Sequence, residues 1–259
     1  MDLKLAGQTA LVTGASRGIG LAIAQEFARE GVNLRLAART AADLDSARAA
    51  VLAAGKVNVE CHALDLSRSE SQAQLASRCA DVDILVNNAG AIPAGTIDAV
   101  TESRWREAWD LKVFGYINLT RTIYARMCQR KAGVIINVIG VAGERVRANY
   151  IAGTTGNAAL MAFTRALGGA SVDHQVRVIG VNPGQIETDR LRRRLEAQAK
   201  AELGDAARWR ELVKDPPMGR IGRPDEIADM VVFLASSRAS FVSGTIVTVD
   251  AGRAARNAA

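Results

Sequence analysis

The feature that most constrains this chain is a glycine-rich turn, Thr13 to Gly20, with the sequence TGASRGIG. The apolar residues 9–12 before it predict a strand, and the apolar residues at helical spacing in 21–29 after it predict a helix. Glycines let such a turn approach a pyrophosphate group closely, and the helix offers that group free N–H donors and the positive end of its dipole. The turn therefore predicts a Rossmann fold that binds a dinucleotide.

Strands and helices alternate along the rest of the chain. We predict strands at 34–38, 57–64, 84–86, 134–138, 176–181 and 245–249, and helices at 43–54, 102–130 with a break, 150–167 and 225–234. This alternation is typical of a parallel sheet with helices on both faces. We therefore expect one α/β domain over residues 1–259, a doubly wound Rossmann fold with about seven parallel strands. The charged segment 187–224 is interpreted as a mobile helical flap over the site.

The charge distribution limits the classes of partner. The chain has a formal net charge of +6, and its basic residues are scattered apart from one cluster. That cluster consists of Arg190, Arg192, Arg193 and Arg194. No aromatic residues alternate with arginines as they do on surfaces that bind single strands, so we expect no nucleic-acid partner. The cluster is either the solvated face of a helix or a group of positive charges that attracts an acidic or CoA-linked substrate.

Other classes of protein are disfavoured by what the sequence lacks. No apolar run approaches the roughly 18 residues that a membrane span needs. The first residues also lack the apolar block of a secretory signal. We therefore expect a cytoplasmic protein with no membrane partner. The three cysteines, Cys61, Cys79 and Cys128, have no metal-ligand spacing, so we predict no metal site.

Several motifs, spread over essentially the whole chain, resemble those of the short-chain dehydrogenase/reductase family. They are TGASRGIG, NNAG at Asn87 to Gly90, Asp65-Leu66, Pro183-Gly184 with Thr188, and the final VTVDAG. The resemblance implies hydride transfer on a small-molecule substrate and assembly as a homotetramer or homodimer. It assigns cofactor binding to Gly14, Ser16, Arg17, Gly18, Ile19, Gly20, Arg39, Asp65, Leu66, Asn87, Ala89, Gly90, Asn157, Pro183, Gly184, Ile186 and Thr188.

The end of the second strand indicates the preferred coenzyme. Sites that prefer NAD(H) place a carboxylate there, where it binds the adenosine ribose. Here the strand is followed by Arg39, and Arg17 lies nearby in the glycine turn. A guanidinium can bind a 2′-phosphate through two hydrogen bonds. We favour NADP(H) as the cofactor and keep NAD(H) as the alternative.

The resemblance breaks down at the family's four catalytic positions. The family uses a Ser to position the substrate oxygen, a Tyr as acid or base, a Lys that lowers the pKa of that Tyr, and an Asn in a proton relay. Matched by the neighbouring motifs, these positions hold Gly140, Gly153, Asn157 and Lys112 in that order. The two glycines remove a hydroxyl and a phenol, which leaves space for water or for a bulkier substrate.

We predict Lys112, Tyr150 and Asn157 as the catalytic residues. Lys112 would supply positive charge at a developing alkoxide, and Asn157 would bond a ribose hydroxyl. Tyr150 lies seven residues before Asn157, on the same face of the predicted helix, and is the candidate proton donor, with water as the alternative. A tyrosine inside that helix would lean towards the helix N-terminus, away from the site, unless the helix starts later.

Three functions remain compatible with this sequence. The first is an NADP(H)-dependent oxidoreductase with a rebuilt acid/base site. The second is a non-redox enzyme on the same scaffold, such as a lyase, dehydratase or isomerase. The third is a protein that binds the cofactor without catalysis, such as a redox sensor.

Overall fold

The computed structural model describes residues 1–256, whose strands form one parallel sheet in the order β3-β2-β1-β4-β5-β6-β7. The strands are β1 (Thr9–Thr13), β2 (Asn33–Ala38), β3 (Val59–Ala63), β4 (Ile84–Asn87), β5 (Gly133–Val138), β6 (Val176–Pro183) and β7 (Ile246–Val249). The predicted sheet of seven parallel strands is confirmed. The strand order reverses between β1 and β4, which is where ligands bind in open sheets of this kind.

Helices connect these strands and cover both faces of the sheet. They are α1 (Gly18–Arg29), α2 (Ala41–Ala54), α3 (Ser69–Arg78), α4 (Glu102–Trp109), α5 (Gly115–Arg130), α6 (Ile151–Ala170), α7 (Asp189–Leu203) and α8 (Pro224–Ala235). Helices α1, α2 and α8 pack together on one face, and α3 and α5 pack together on the other. Within residues 1–256, no helix is both long enough and apolar enough to cross a membrane.

Apolar side chains on both faces of the strands explain why the sheet is buried between two helical layers. On one face, Phe27 of α1 and Val231 of α8 pack with the strands, and on the other Leu75 of α3 and Ile123 of α5 do so. All four residues of β4 are buried. The middle of the sheet is therefore rigid, and the carboxyl ends of β1, β4, β5 and β6 hold the loops of the site in place.

The structure differs from the sequence predictions at three helices. Helix α3 was not predicted, because only Gln72, Leu75 and Ala76 are buried along it and its apolar periodicity is weak. The break expected within 102–130 is a π-helical turn, Asp110–Phe114, that joins α4 to α5 without interrupting the helix axis. The helix predicted from residue 150 begins at Ile151, which leaves Tyr150 outside it.

The segment 187–224 forms a small helical lobe rather than an irregular loop. It contains α7 and two short 3-10 turns, Ala206–Leu212 and Pro217–Gly219. Leu195, Ala199 and Trp209 are buried in an apolar cluster within the lobe. Its two ends meet at a bridge between Ile186 and Gly222, where the N–H of Glu187 donates to the Gly222 carbonyl (2.8 Å).

Candidate active site

Two positions of the glycine turn, Gly14 and Gly20, are packed too tightly to accept a side chain. A Cβ built on Gly20 lies 2.3 Å from the carbonyl oxygen of Gly14, and one built on Gly14 lies 2.9 Å from the Cα of Ala89. Gly18 has φ +58° and faces the Cγ2 of Thr188, 3.3 Å from a built Cβ. The turn therefore presents bare backbone at the N-terminus of α1, and this concave backbone fits a pyrophosphate group.

The loop after β4 holds this turn in place. The hydroxyl of Thr13 accepts hydrogen bonds from the backbone N–H groups of Asn88 (2.9 Å) and Ala89 (3.0 Å). The side-chain amide of Asn88 donates to the carbonyl oxygens of Thr13 (3.0 Å) and Gly14 (3.3 Å). The side chain of Asn88 thus fixes the turn, although the sequence analysis did not include it among the site residues.

Asn87 has a different surrounding from its neighbour. Its side chain is fully buried and donates to Thr120 (3.1 Å) on α5 and to Asn137 (2.9 Å) on β5. Asn137 in turn donates to Thr164 on α6 (2.9 Å). The side chain of Asn87 therefore ties β4, β5 and α5 together beneath the site and does not point towards the glycine turn.

The ends of β2 and β3 carry the residues expected near an adenosine. Arg39 is exposed just after β2, and Arg17 is exposed on the glycine turn. The carboxylate of Asp65 accepts hydrogen bonds from the N–H (3.1 Å) and the hydroxyl (2.8 Å) of Ser67. Burial alone would raise the pKa of Asp65, but these hydrogen bonds and the positive charge of Arg39 hold it below its usual value. Leu66 is buried beside this edge.

The carboxyl end of β6 leads the chain from the sheet to the lobe. Pro183 closes the strand, and a Cβ built on Gly184 lies 2.5 Å from the Cβ of Asp250, so a larger residue does not fit there. Ile186 is buried at the base of the lobe, and the hydroxyl of Thr188 caps α7. Ser16 and Ile19 complete the opposite wall, where Ile19 packs against the core.

Lys112 lies between the carboxyl ends of β4 and β5. Its side-chain stem crosses Gly90, and a Cβ built on Gly90 lies 2.8 Å from the Lys112 Cδ. Its ammonium Nζ donates to the carbonyl oxygen of Ile139 (2.5 Å). Burial, assisted by the nearby charge of Arg190, lowers the pKa of Lys112 to about 8. Lys112 therefore faces the site rather than solvent, and it remains mostly protonated at neutral pH.

Gly140 and Asn157 occupy one corner of the site together. Gly140 has φ +126°, a conformation that favours glycine. The amide of Asn157 donates to the Gly140 carbonyl oxygen (3.2 Å), and a Cβ built on Gly140 lies 3.1 Å from that amide nitrogen. The Oδ1 of Asn157 has no hydrogen-bond partner among residues 1–256, although the residue is only 3% exposed. A buried acceptor of this kind is available to a ligand hydroxyl.

The ring of Tyr150 lies directly on Gly153. A Cβ built on Gly153 lies 2.1 Å from both Cε1 and Cζ of Tyr150, so the ring occupies the space that a side chain at 153 would need. Tyr150 precedes α6 with φ −141° and ψ 39°, and the backward lean of a helical side chain therefore does not apply to it. Burial raises the pKa of its phenol, and the charges of Arg190 and Arg194 partly oppose this rise.

Two further side chains position this corner without having been predicted. The indole N–H of Trp109 donates to the carbonyl oxygen of Ala152 (3.0 Å) and so holds the first turn of α6 against α4. Trp105 packs beside Tyr150. Both tryptophans lie in the segment predicted as a helix, but their partners are distant in sequence, so no local pattern indicated these contacts.

The arginine cluster on α7 is divided by the helix. Arg190 donates to the carbonyl oxygens of Gly90 (3.1 Å) and Ile92 (2.9 Å) and so binds the lobe to the loop after β4. Arg192 pairs instead with Glu196 on the same helix (3.5 Å). The cluster is therefore neither wholly a solvated face nor wholly part of the site.

Comparison with known proteins places these features in context. A family model described as short chain dehydrogenase matches residues 8–199. The 3-oxoacyl-acyl-carrier-protein reductase FabG of Pseudomonas aeruginosa is 35% identical over 257 residues, which cover 96% of this chain and 98% of the relative. Galactitol 2-dehydrogenase (L-tagatose-forming) of Cereibacter sphaeroides is 34% identical over 251 residues, 96% of each chain.

A solved structure is similar over nearly the whole fold. L-sorbose reductase from Gluconobacter frateurii, complexed with NADPH and L-sorbose, superposes with a TM-score of 0.93 at 31% identity. The match covers 99% of this chain and 100% of that one. The similarity therefore extends over the glycine turn, the sheet and the lobe alike.

Proposed function

This chain belongs to the short-chain dehydrogenase family, and we propose that it is an NADP(H)-dependent oxidoreductase with a rebuilt acid/base site. Hydride passes between the nicotinamide and the carbon of a carbonyl or alcohol. Lys112 and Tyr150 take the places of the Ser, Tyr and Lys of other members: Lys112 stabilises the developing negative charge, and Tyr150 donates the proton. The observation that carries this proposal is the Tyr150 ring on Gly153, which brings a phenol to the position that otherwise lacks one.

The residues around the glycine turn fit the cofactor. A Cβ on Gly20 would collide with the Gly14 carbonyl and one on Gly14 with the backbone of Ala89, so only glycines keep this tight turn at the N-terminus of α1, where free N–H groups suit a pyrophosphate. Arg39 and Arg17 are exposed at the edge expected for the adenosine, without a carboxylate after β2. This arrangement favours the 2′-phosphate of NADP(H) over NAD(H). The NADPH complex of the sorbose reductase supports the same choice.

Asn157 is suited to a ribose hydroxyl. Its amide nitrogen is already bonded to the Gly140 carbonyl, which leaves Oδ1 as the free acceptor. A hydroxyl donor would satisfy this buried oxygen, whose lack of a partner otherwise costs about 1–3 kcal/mol. We infer that Asn157 takes over the ribose contact of the usual lysine but not its charge.

Lys112 supplies the charge. In carbonyl reduction, negative charge develops on the substrate oxygen as the hydride arrives, and a fixed ammonium lowers the energy of that state. The hydrogen bond to Ile139 holds Nζ in place and leaves its other protons free. Because the pKa of Lys112 is lowered to about 8, the ammonium is present at neutral pH and is lost above it.

Tyr150 supplies the proton. Burial raises the pKa of its phenol, so the O–H stays protonated and can donate to the substrate oxygen. The charge of Arg190 acts on both Tyr150 and Lys112, which indicates that the two groups face one region. The oxygen thus gains a proton as the carbon gains a hydride, and the product is an alcohol. Oxidation of an alcohol would need the phenolate as the base, and the raised pKa leaves little phenolate near neutral pH. We therefore expect reduction to be the faster direction.

The first experiment measures NADPH binding and NADPH oxidation for Lys112→Met and Tyr150→Phe. We expect turnover to fall about 100-fold in the first and about 30-fold in the second, with the dissociation constant of NADPH within twofold of the parent. The matched controls are Lys56→Met, at an exposed lysine, and Tyr124→Phe, at a tyrosine in the C-terminal half of α5. Substrates are a panel of ketones, aldehydes and quinones.

The same experiment includes a pH profile. Protonated Lys112 is the active form in reduction, so the rate should fall above about pH 8, by about tenfold from pH 7 to pH 9 if the charge is essential. Lys112→Met should lose this fall. Turnover that survives both substitutions contradicts the assigned roles, and tight NADPH binding without oxidation on any carbonyl supports a sensor or a non-redox enzyme instead.

A further inference from the structure

The first two turns of α7 carry four arginines that point in two directions. Arg190 reaches the carbonyls of Gly90 and Ile92 in the loop after β4, Ile92 belongs to the apolar cluster against which Tyr150 packs, and Arg194 follows Arg190 by one helical turn. Arg192 is paired with Glu196, and Arg193 is exposed. Residues four apart lie on the same face of a helix, so Arg190 and Arg194 form one face, which is directed at the candidate active site.

Helix stability does not account for this arrangement. The N-terminus of a helix carries the positive end of the dipole and favours acidic side chains, whereas arginines there are unfavourable. Helix α7 has one acidic residue in its first turn, Asp189, and four arginines in the five positions that follow it. The charge therefore costs helix stability, which suggests that it serves another role.

The cations at the site also lack acidic partners. Among the salt bridges within residues 1–256, none involves Arg190, Arg194 or Lys112. Arg190 and Lys112 bond only to backbone carbonyl oxygens. Arg190 and Lys112 both adjoin Gly90, and Arg194 lies on the helix face of Arg190, so three positive groups without an ion-pair partner are neighbours, and repulsion of this kind is relieved when an anion binds.

We propose that Arg194, assisted by Arg190, binds a carboxylate of the substrate, so that the enzyme acts on oxo acids and hydroxy acids. This proposal rests on the oxidoreductase function proposed above. Arg190 already uses part of its guanidinium on Gly90 and Ile92. Arg194 has no hydrogen-bond or ion-pair partner within residues 1–256, so its planar fork can meet a carboxylate with two parallel bonds. The reacting oxygen then lies on the side of Tyr150 and Lys112.

A phosphate of the cofactor is the other possible source of anionic oxygens. Thr188, at the start of α7, lies against Gly18 of the glycine turn. Arg194 is six residues further along, which is about 9 Å of helix rise. Arg194 is therefore directed to the substrate side of the site, and a test of NADPH affinity separates the two sources.

The test compares Arg194→Gln with Arg193→Gln, the neutralisation of an exposed arginine about 100° around the helix from Arg194. The probes are 2-oxopentanoate, 4-oxopentanoate and 5-oxohexanoate, each paired with its methyl ester. Their binding to the NADP⁺-loaded protein is measured by calorimetry, and NADPH oxidation is measured separately. We expect at least one acid to bind about 30-fold more tightly than its ester. Arg194→Gln should remove most of this preference, and Arg193→Gln should keep it.

Each alternative result overturns the carboxylate site. Equal binding of acids and esters, failure of every acid to bind, or an equal effect of the two substitutions would do so. A fall in NADPH affinity in Arg194→Gln that matches the fall in acid binding would assign Arg194 to the cofactor. Binding is measured without turnover. Acid-selective binding with no oxidation of NADPH would therefore contradict the proposed redox function and still support the carboxylate site.

Discussion

Glycines at the two ends of the site have opposite roles. At the cofactor end, a Cβ on Gly20 would meet the backbone of Gly14, so nothing can move aside and the residue must stay bare. At the proposed catalytic end, a Cβ on Gly153 would meet the ring of Tyr150, a side chain that occupies the space above the glycine. The first glycine makes room for the backbone of its own turn, and the second makes room for the side chain of another residue. The structural role of a glycine therefore cannot be interpreted until the atoms packed around it are known.

The largest effect should follow from Gly20→Ala. The added methyl group would lie 2.3 Å from the Gly14 oxygen, so the turn must shift and the dissociation constant of NADPH should rise at least about 100-fold. Fluorescence titration with NADPH measures this. The matched control is Gly169→Ala in α6, where a built Cβ has no atom within 4 Å and binding should not change. Unchanged NADPH affinity in Gly20→Ala would mean that the turn is not the cofactor cradle.

A smaller effect, confined to turnover, should follow from Gly153→Ala. The methyl group displaces the Tyr150 ring, so turnover should fall about 30-fold while NADPH affinity stays within twofold. If the loss acts through the ring, Gly153→Ala should cost little more in a Tyr150→Phe background. Fully additive losses in this double-mutant cycle would show that Gly153 matters for a different reason.

The smallest effect should follow from Arg39→Ala, which sharpens the description of the cofactor end. An exposed guanidinium on a phosphate contributes about 1 kcal/mol, so NADPH affinity should fall about fivefold and NADH affinity should stay the same. Exposed Arg48→Ala on α2 is the control, and both coenzymes are titrated in parallel. An equal loss for NADH would argue against recognition of the 2′-phosphate by Arg39.

The cofactor end could be predicted from the sequence because its determinants are local. The turn, the strand before it and the helix after it are contiguous, and the glycine spacing follows from backbone contact with a phosphate. The role of the Asn88 side chain was not predicted because its hydrogen-bond partners, Thr13 and Gly14, are distant in sequence. The sheet order likewise agrees with the alternation of strands and helices.

The catalytic end could be predicted only in part. Lys112 and Tyr150 as catalytic residues remain a prediction from the sequence, and the position of Tyr150 depends on whether α6 starts at 150 or 151. A one-residue difference at a helix start lies within the usual uncertainty of such boundaries, and here it decides where the phenol points. The division of the arginines on α7 also depends on tertiary contacts with Gly90 and Ile92, which no local pattern contains.

The bridge between Ile186 and Gly222 has a consequence for how such enzymes can diversify. Because the two ends of the lobe meet at this bridge, between the end of β6 and the start of α8, and the lobe contains an apolar cluster of its own, we expect that it can be exchanged between homologous scaffolds. Transplanting residues 187–221 would carry Arg190 and Arg194 with them, together with Thr188, and would leave the glycine turn and Arg39 in place. Under the proposals above, the residues that would select the substrate and Arg39, which would select the coenzyme, thus lie in separate segments that evolution can change independently.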